Sequence, residues 1–214
     1  MEVTIIEEFG VVHLQNALTL KEQVSLFQEV KGNMRGVGNY PGIFHASSGS
    51  PEAEHRNDML HEFGELLFNR CAEAVVASSL TAEEIAAEPA LKRLGEVASG
   101  GKPPVVNYVT GASYKPGATM TNHSDLDRPL YTMSVAVGNS CDFAVGKRTA
   151  RPKKNERSGT PVTIKIKSGD VIYFDGGSVP HEVSQIDLNT APAFYKKCEF
   201  KDVARISVLF REPS

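Results

Sequence analysis

The chain has no tryptophan, only three cysteines, no long apolar run and no excess of basic charge, and each shortage removes a class of protein. Cys71, Cys141 and Cys198 are odd in number and far apart, which does not suit the paired framework of a small secreted fold. No basic segment followed by an apolar one opens the sequence, so no secretory leader is expected. Nothing approaches the roughly 20 apolar residues of a membrane-spanning helix, so we expect no membrane partner and a cytoplasmic or nuclear location. With 23 Lys and Arg against 26 Asp and Glu the net charge is −3, and no overall field draws the chain to nucleic acid. Such a partner would need a local basic patch. Internal repeats and low-complexity tracts are also lacking.

What is there is ordinary globular composition, 41% apolar and 23% charged over 214 residues, enough for one domain with a sizeable core and monomeric by default. "VTIIEEFGVVHLQNA" reads as two short strands. "LTLKEQVSLFQEV" follows as a helix, with Leu20, Val24, Phe27 and Val30 at helical spacing behind a Thr19 cap. From Gly32 to Ser50 the composition turns to Gly, Asn, Pro and Ser with Tyr40 and Phe44 interspersed, the look of a long functional loop. Residues 58–79 are helical by period, and "TAEEIAAEPALKRL" continues helical from a Thr81/Glu84 capping box, kinked or divided at Pro89. "SGGKPP" then separates a helical supporting half, residues 1–100, from residues 101–214, where seven short β-type runs predict a jelly roll or sandwich. The expected fold is a mostly β double-stranded β-helix covered on one face by the N-terminal helices.

Within "TNHSDLDRPL" stand His123, Asp125 and Asp127. His-x-Asp alone is a weak signal, as consistent with a solvated strand edge as with a metal site. A third candidate ligand, His181, follows "GDVIYFDGGSVP" at the start of another strand. Two His and one carboxylate make the facial triad of non-haem Fe(II) oxygenases, with open positions left for substrate and O2. "RISVLFR" adds Arg205 and Arg211, whose spacing of six puts both on one strand face together with Ser207. A guanidinium fork grips a carboxylate with two parallel hydrogen bonds.

In order and spacing these segments resemble the AlkB family of Fe(II)- and 2-oxoglutarate-dependent dioxygenases. "SYKPGATMTNHSDLD" resembles its Tyr segment leading into His-x-Asp-x-Asp, "YTMSVAVGNSCDFAVG" its next strand pair, "GDVIYFDGG…H" the strand before its distal His, and "RISVLFR" its closing Arg-rich strand. The match runs over about residues 105–211, with a fainter echo in "GVVHLQNALTLKEQ". The resemblance implies that His123, Asp125 and His181 ligate Fe(II), and that Arg205, helped by the Tyr114 hydroxyl, binds the distal carboxylate of 2-oxoglutarate. Arg211 would reach its proximal end, Asp127 would touch the substrate base, and Phe174 would stand near the site. Two positions depart from the pattern. Ala112 replaces an Asn whose role Asn107 could take, and Ser207 replaces the Asn between the arginines.

The activity so implied is oxidative demethylation of N-methylated bases, consuming 2-oxoglutarate and O2 and releasing formaldehyde, succinate and CO2. The base would be single-stranded or flipped out and would need an aromatic or imidazole wall. Without tryptophan that wall falls to Tyr40, Phe44 or His45. "GKRTARPKKNERSG" crowds Lys147, Arg148, Arg151, Lys153, Lys154 and Arg157 into a stretch fit for backbone phosphates. A hydroxylase of a protein side chain or small molecule is the rival enzyme, because the same iron site serves many substrates. A non-catalytic nucleic-acid or protein-binding module is the rival of another class.

Overall fold

The computed structural model describes residues 2–34, 41–49, 54–125, 130–147, 158–196 and 202–213. Chain order among them is β1 (Glu2–Ile6), β2 (Val11–Gln15), α1 (Leu20–Lys31), β3 (Gly42–Ser47), α2 (Asp58–Val76), α3 (Ala82–Ala87) and α4 (Pro89–Ala98). The second half continues with β4 (Tyr108–Tyr114), β5 (Met120–His123), β6 (Leu130–Gly138), β7 (Ser140–Lys147), β8 (Ser158–Ile166), β9 (Val171–Asp175), β10 (His181–Asp187), α5 (Ala193–Lys196) and β11 (Arg205–Pro213). The strands form two antiparallel sheets, a major one in the order β1-β2-β9-β6-β11-β4-β3 and a minor one in the order β5-β10-β7-β8. This is the expected jelly-roll layering.

Local chemistry sets the helix ends. Thr19 and Thr81 each close a capping box, with the glutamate three residues on accepting from the cap's own backbone N–H at 2.7 Å in both cases. Pro89 sits at the first helical position, where its missing N–H costs nothing, and so divides α3 from α4. α1 buries Gln23, Leu26, Phe27 and Val30, while Leu20, expected on the apolar face, is 62% exposed. It lies in the first turn of the helix.

One core lies between the helices and the major sheet, a second between the two sheets. In the first, Phe68 is fully buried with its ring 5.5 Å from that of Tyr173, edge to face, and the Tyr173 hydroxyl donates to Ala90 O at 3.1 Å. We expect Phe68→Ala to cost about 3–5 kcal/mol by cavity formation and to lower Tm by on the order of 10 °C, measured by thermal melt. A loss under about 1 kcal/mol would show that this layer is loosely packed.

The first hundred residues enter the major sheet, and two strands there and beyond differ from expectation. The first three strands pair within the major sheet, β2 on β9 and β3 on β4, so residues 1–100 supply strands as well as helical cover. The stretch read as a loop to Ser50 contains β3, hidden because "GIFHAS" carries few strand-forming residues. β4 runs through Gly111, Ala112 and Ser113 and starts three residues later than "VVNYV" suggested. Gly111 has a reason there: a Cβ would lie 2.1 Å from the Phe44 ring, which packs flat on the bare backbone.

Candidate metal centre

His123 ends β5 and His181 begins β10, and the two are directly paired across the minor sheet, their rings 4.4 Å apart. Fifty-eight residues of chain are thus closed by one cross-strand register. Asp125 is brought to the same point because its N–H donates to Gly176 O at 2.8 Å, in the turn that leads from β9 to His181. That turn is itself fixed by Asp175, whose Oδ1 accepts from Leu130 N at 2.8 Å and Gly177 N at 3.1 Å. One ligand atom from each of His123, Asp125 and His181 falls within 4.8 Å of the others. Asp125 Oδ1 lies 3.6 Å from His123 Nε2 and 4.0 Å from His181 Nε2.

The ring tautomers are decided by the backbone. His123 Nδ1 lies 2.8 Å from Thr121 O, and His181 Nδ1 lies 2.9 Å from Val179 O. A carbonyl can only accept, so each Nδ1 carries a proton and each Nε2 is the ring atom turned toward Asp125, the arrangement that outer hydrogen-bond partners impose on metal-ligating histidines. Burial pushes the His181 imidazole down to about 4, so it is neutral at neutral pH. Burial alone would raise Asp125, but the adjacent His123 imidazole and the positive charge of Arg211 outweigh it and hold the carboxyl at about 2. His123 is raised, its own burial being overcome by the neighbouring Asp125 carboxylate and by the bond to Thr121 O. Phe174 meets His181 edge to face at 4.8 Å and Phe143 flanks it at 5.9 Å, so the ring cannot swing. An anionic oxygen and two oriented imidazole lone pairs converging on one point fit a divalent transition metal.

Gly176 makes that convergence possible. A Cβ there would lie 2.7 Å from Asp125 Oδ2 and 2.8 Å from Thr132 Oγ1. We expect Gly176→Ala to displace the carboxylate and to weaken metal binding by about 10–100-fold, the range for losing an outer partner, with the far-ultraviolet circular dichroism unchanged. Titration with Mn(II) followed by electron paramagnetic resonance reads this directly, and an unaltered affinity would show that the carboxylate has room to move.

A cavity of about 80 Å3 opens beside the triad. Its floor follows from strand register on the major sheet. Along β11 Arg205 lies between Tyr114 and Gly138, Ser207 between Ala112 and Ala136, Leu209 between Thr110 and Ser134, and Arg211 between Tyr108 and Thr132. Arg205 is 2% exposed, its Nη1 donates to Asn139 O at 2.8 Å, and its buried Nε has no partner among the described residues. Arg211 Nη2 reaches Asp125 Oδ2 at 3.2 Å as an ion pair without hydrogen-bond alignment, and its Nε is likewise buried and unpartnered. Buried donors without acceptors are costly, and here both belong to residues lining one cavity. They suit a ligand bearing carboxylate. Tyr114 is buried against Ser207, and burial pushes its phenol far up, so the hydroxyl stays a donor.

Other expected residues end elsewhere. Phe44 does not wall the cavity: it is 4% exposed and packs on the helix side of the sheet, since alternation along β3 sends Ile43 and His45 to the opposite face. Ile43, 56% exposed and unexpected, is the residue of β3 that lines the cavity. Only the strand assignment of β3 would have found it. Asn107 is exposed, and its N–H donates to Arg211 O at 2.8 Å, outside the cavity wall. Ser207 and Phe174 do line it. Tyr40, Asp127, Arg148 and Arg151 lie outside the described residues, as does the side chain of Lys147, the last residue of β7.

The two sheets with a two-histidine, one-carboxylate cluster at their open end define the double-stranded β-helix fold found in 2-oxoglutarate-dependent oxygenases. No protein-family profile matches the chain, and no curated protein matches it either. Among solved structures it is similar to OsALKBH1, at 16% identity and a TM-score of 0.68 over 99% of this chain and 100% of that one. It is also similar to SnoK, a non-haem 2-oxoglutarate-dependent carbocyclase from nogalamycin biosynthesis, at 13% identity and a TM-score of 0.52 over 95% and 80% of the two chains. HygX from Streptomyces hygroscopicus, solved with nickel, 2-oxoglutarate and hygromycin B bound, matches at 11% identity and a TM-score of 0.52 over 97% and 84%.

Proposed function

We propose that the protein is an Fe(II)- and 2-oxoglutarate-dependent dioxygenase that removes N-methyl groups from bases in nucleic acid. The observation that carries the first half is the joining, in one cavity, of His123, Asp125 and His181 with two guanidinium groups whose buried Nε donors lack acceptors. Arg205 receives the distal carboxylate of the cosubstrate, and Tyr114 and Ser207 line the wall beside it. The two Nδ1–carbonyl bonds keep both imidazoles oriented, and Ile166, Ile172, Phe143 and Phe174 exclude water from the reacting end. Fe(II), when bound, supplies the activation of O2 and the oxidative decarboxylation of 2-oxoglutarate to succinate and CO2. An N-methyl group hydroxylated at its carbon gives a hemiaminal, whose C–N bond breaks to leave formaldehyde and the protonated base nitrogen. The cavity of about 80 Å3 is the place of the small acid, and Ile43, 56% exposed, stands at its outer lining. The base is therefore presented at the mouth, beside Ile43.

The nucleic-acid half rests on the resemblance of the motifs to AlkB, on the end-to-end likeness to OsALKBH1, and on the basic run around Arg148 and Arg151. Incubation of methylated nucleosides and oligonucleotides with Fe(II), ascorbate and 2-oxoglutarate, followed by mass spectrometry, tests it. Loss of one CH2 from the oligonucleotide with matching formaldehyde and succinate is expected. A second reading, hydroxylation of a small molecule, is favoured by the likeness to HygX, which was solved with hygromycin B, and by the apolar lining of Ile43, Met120 and Leu209. Succinate formation with an oxygen atom gained by a small molecule and every oligonucleotide unchanged would establish that reading instead.

A further inference from the structure

We infer that Asn139, in the turn between β6 and β7, is a positioning residue that holds the Arg205 guanidinium for a dicarboxylate, and so sets the preference for 2-oxoglutarate over ligands that lack a distal carboxylate. The inference rests on the cosubstrate reading above and adds to it a residue that the motifs did not single out.

Arg205 is buried, so the direction of its donors is decided by what grips them. The grip is the main-chain carbonyl of Asn139, 2.8 Å from Nη1. With Nη1 tethered there, the Nε side of the planar fork is left for an incoming carboxylate, and Nε is the donor that has no protein partner. The position of one carbonyl oxygen therefore fixes the angle at which the cavity offers its charge.

That carbonyl is held by the Asn139 side chain, which is 8% exposed and satisfied at both ends by main chain. Oδ1 accepts from Thr190 N at 2.9 Å and Ala191 N at 3.1 Å, and Nδ2 donates to Ala204 O at 2.8 Å. Asn139 N donates to the same Ala204 oxygen at 3.0 Å, while Ala204 N donates to Tyr114 O at 2.7 Å. Asn139 thus locks onto the residue immediately before Arg205, which is itself locked to the strand bearing Tyr114. Thr190 is fixed in turn, its Oγ1 accepting from Ser140 N at 2.8 Å and donating to Asp187 O at 2.7 Å. The approach is close: Gly138 has φ +106°, and a Cβ on it would meet Ala204 O at 2.9 Å. No other residue type fills this role. Asp lacks the donor to Ala204, and Gln places its amide one carbon too far out.

Asn139 does not line the cavity, so any effect on ligand passes through the residues it holds, Arg205 first among them. Isothermal titration of Mn(II)-loaded protein without O2 separates the cases, using 2-oxoglutarate and, as a probe of the 2-oxo acid end alone, oxalate. Asn139→Ala is expected to weaken 2-oxoglutarate at least about tenfold while oxalate and Mn(II) stay within about twofold of wild type, in line with loss of an outer partner. Equal weakening of 2-oxoglutarate, oxalate and Mn(II) would reduce Asn139 to a general structural role, and unchanged 2-oxoglutarate binding would remove it altogether. Should Asn139→Ala not fold, Asn139→Asp keeps the acceptor for Thr190 and Ala191 and sets a carboxylate oxygen against Ala204 O where the donor stood. The same selective weakening is expected there, and its absence overturns the inference. Wild-type protein that binds Mn(II) and oxalate but not 2-oxoglutarate would overturn the cosubstrate reading itself, and this inference with it.

Discussion

Replacing His123 with alanine is expected to weaken Fe(II) binding by more than about 100-fold, beyond what the loss of an outer partner costs, and to abolish succinate formation. The ligand set has three protein atoms, and His123 supplies one of its two nitrogen donors. Removing it leaves His181 Nε2 and Asp125 Oδ1, 4.0 Å apart, as a two-point site. It also takes from Asp125 the neighbour that does most to hold its carboxyl at about 2. The ring stands at the end of β5 and its side chain is 21% exposed, so the fold survives the change and the loss is one of chemistry. Binding is read by Mn(II) titration and turnover by succinate release. Full turnover in this variant would take His123 out of the mechanism and leave the triad without meaning.

Arg205→Ala is expected to raise the apparent KM for 2-oxoglutarate by at least about 30-fold with Fe(II) affinity nearly unchanged, because truncating one partner of a buried charge pair costs about 2 kcal/mol or more. Arg205 is far more enclosed than Arg211 and has no carboxylate partner among the described residues, whereas Arg211 already pairs with Asp125. The two arginines therefore differ in consequence. Loss of Arg205 removes the charge at the far end of the cavity, away from the metal ligands. Arg205→Lys restores the charge but not the fork, and only partial rescue is expected. A KM that does not move in the alanine variant would mean that the cosubstrate carboxylate lies elsewhere.

Much of this was legible in the sequence for identifiable reasons. The helix starts at Thr19 and Thr81 and the break at Pro89 are local effects, decided by groups three residues apart. "LYTMSVAVG" matches β6 residue for residue because it is buried on both faces and its apolar run is nearly continuous. β3 and β5 escaped because each is short, and a strand rich in Gly, Ser, Asn and His shows no propensity until its partners are known. The misplacement of Phe44 followed from that. Once β3 is a strand, alternation alone sends Phe44 to the helix-side core and Ile43 to the cavity.

The sequence by itself determined the ligand types, the two arginines on one face of the last strand, and the class of fold, since residue chemistry and a period of two do not depend on tertiary contacts. Only the tertiary structure decided that His123 and His181 are cross-strand neighbours, that both imidazoles are locked by backbone carbonyls, and that a turn at Asn139 aims Arg205. These depend on register between strands far apart in the chain, and a register is chosen by how whole sheets pack, not by any one segment.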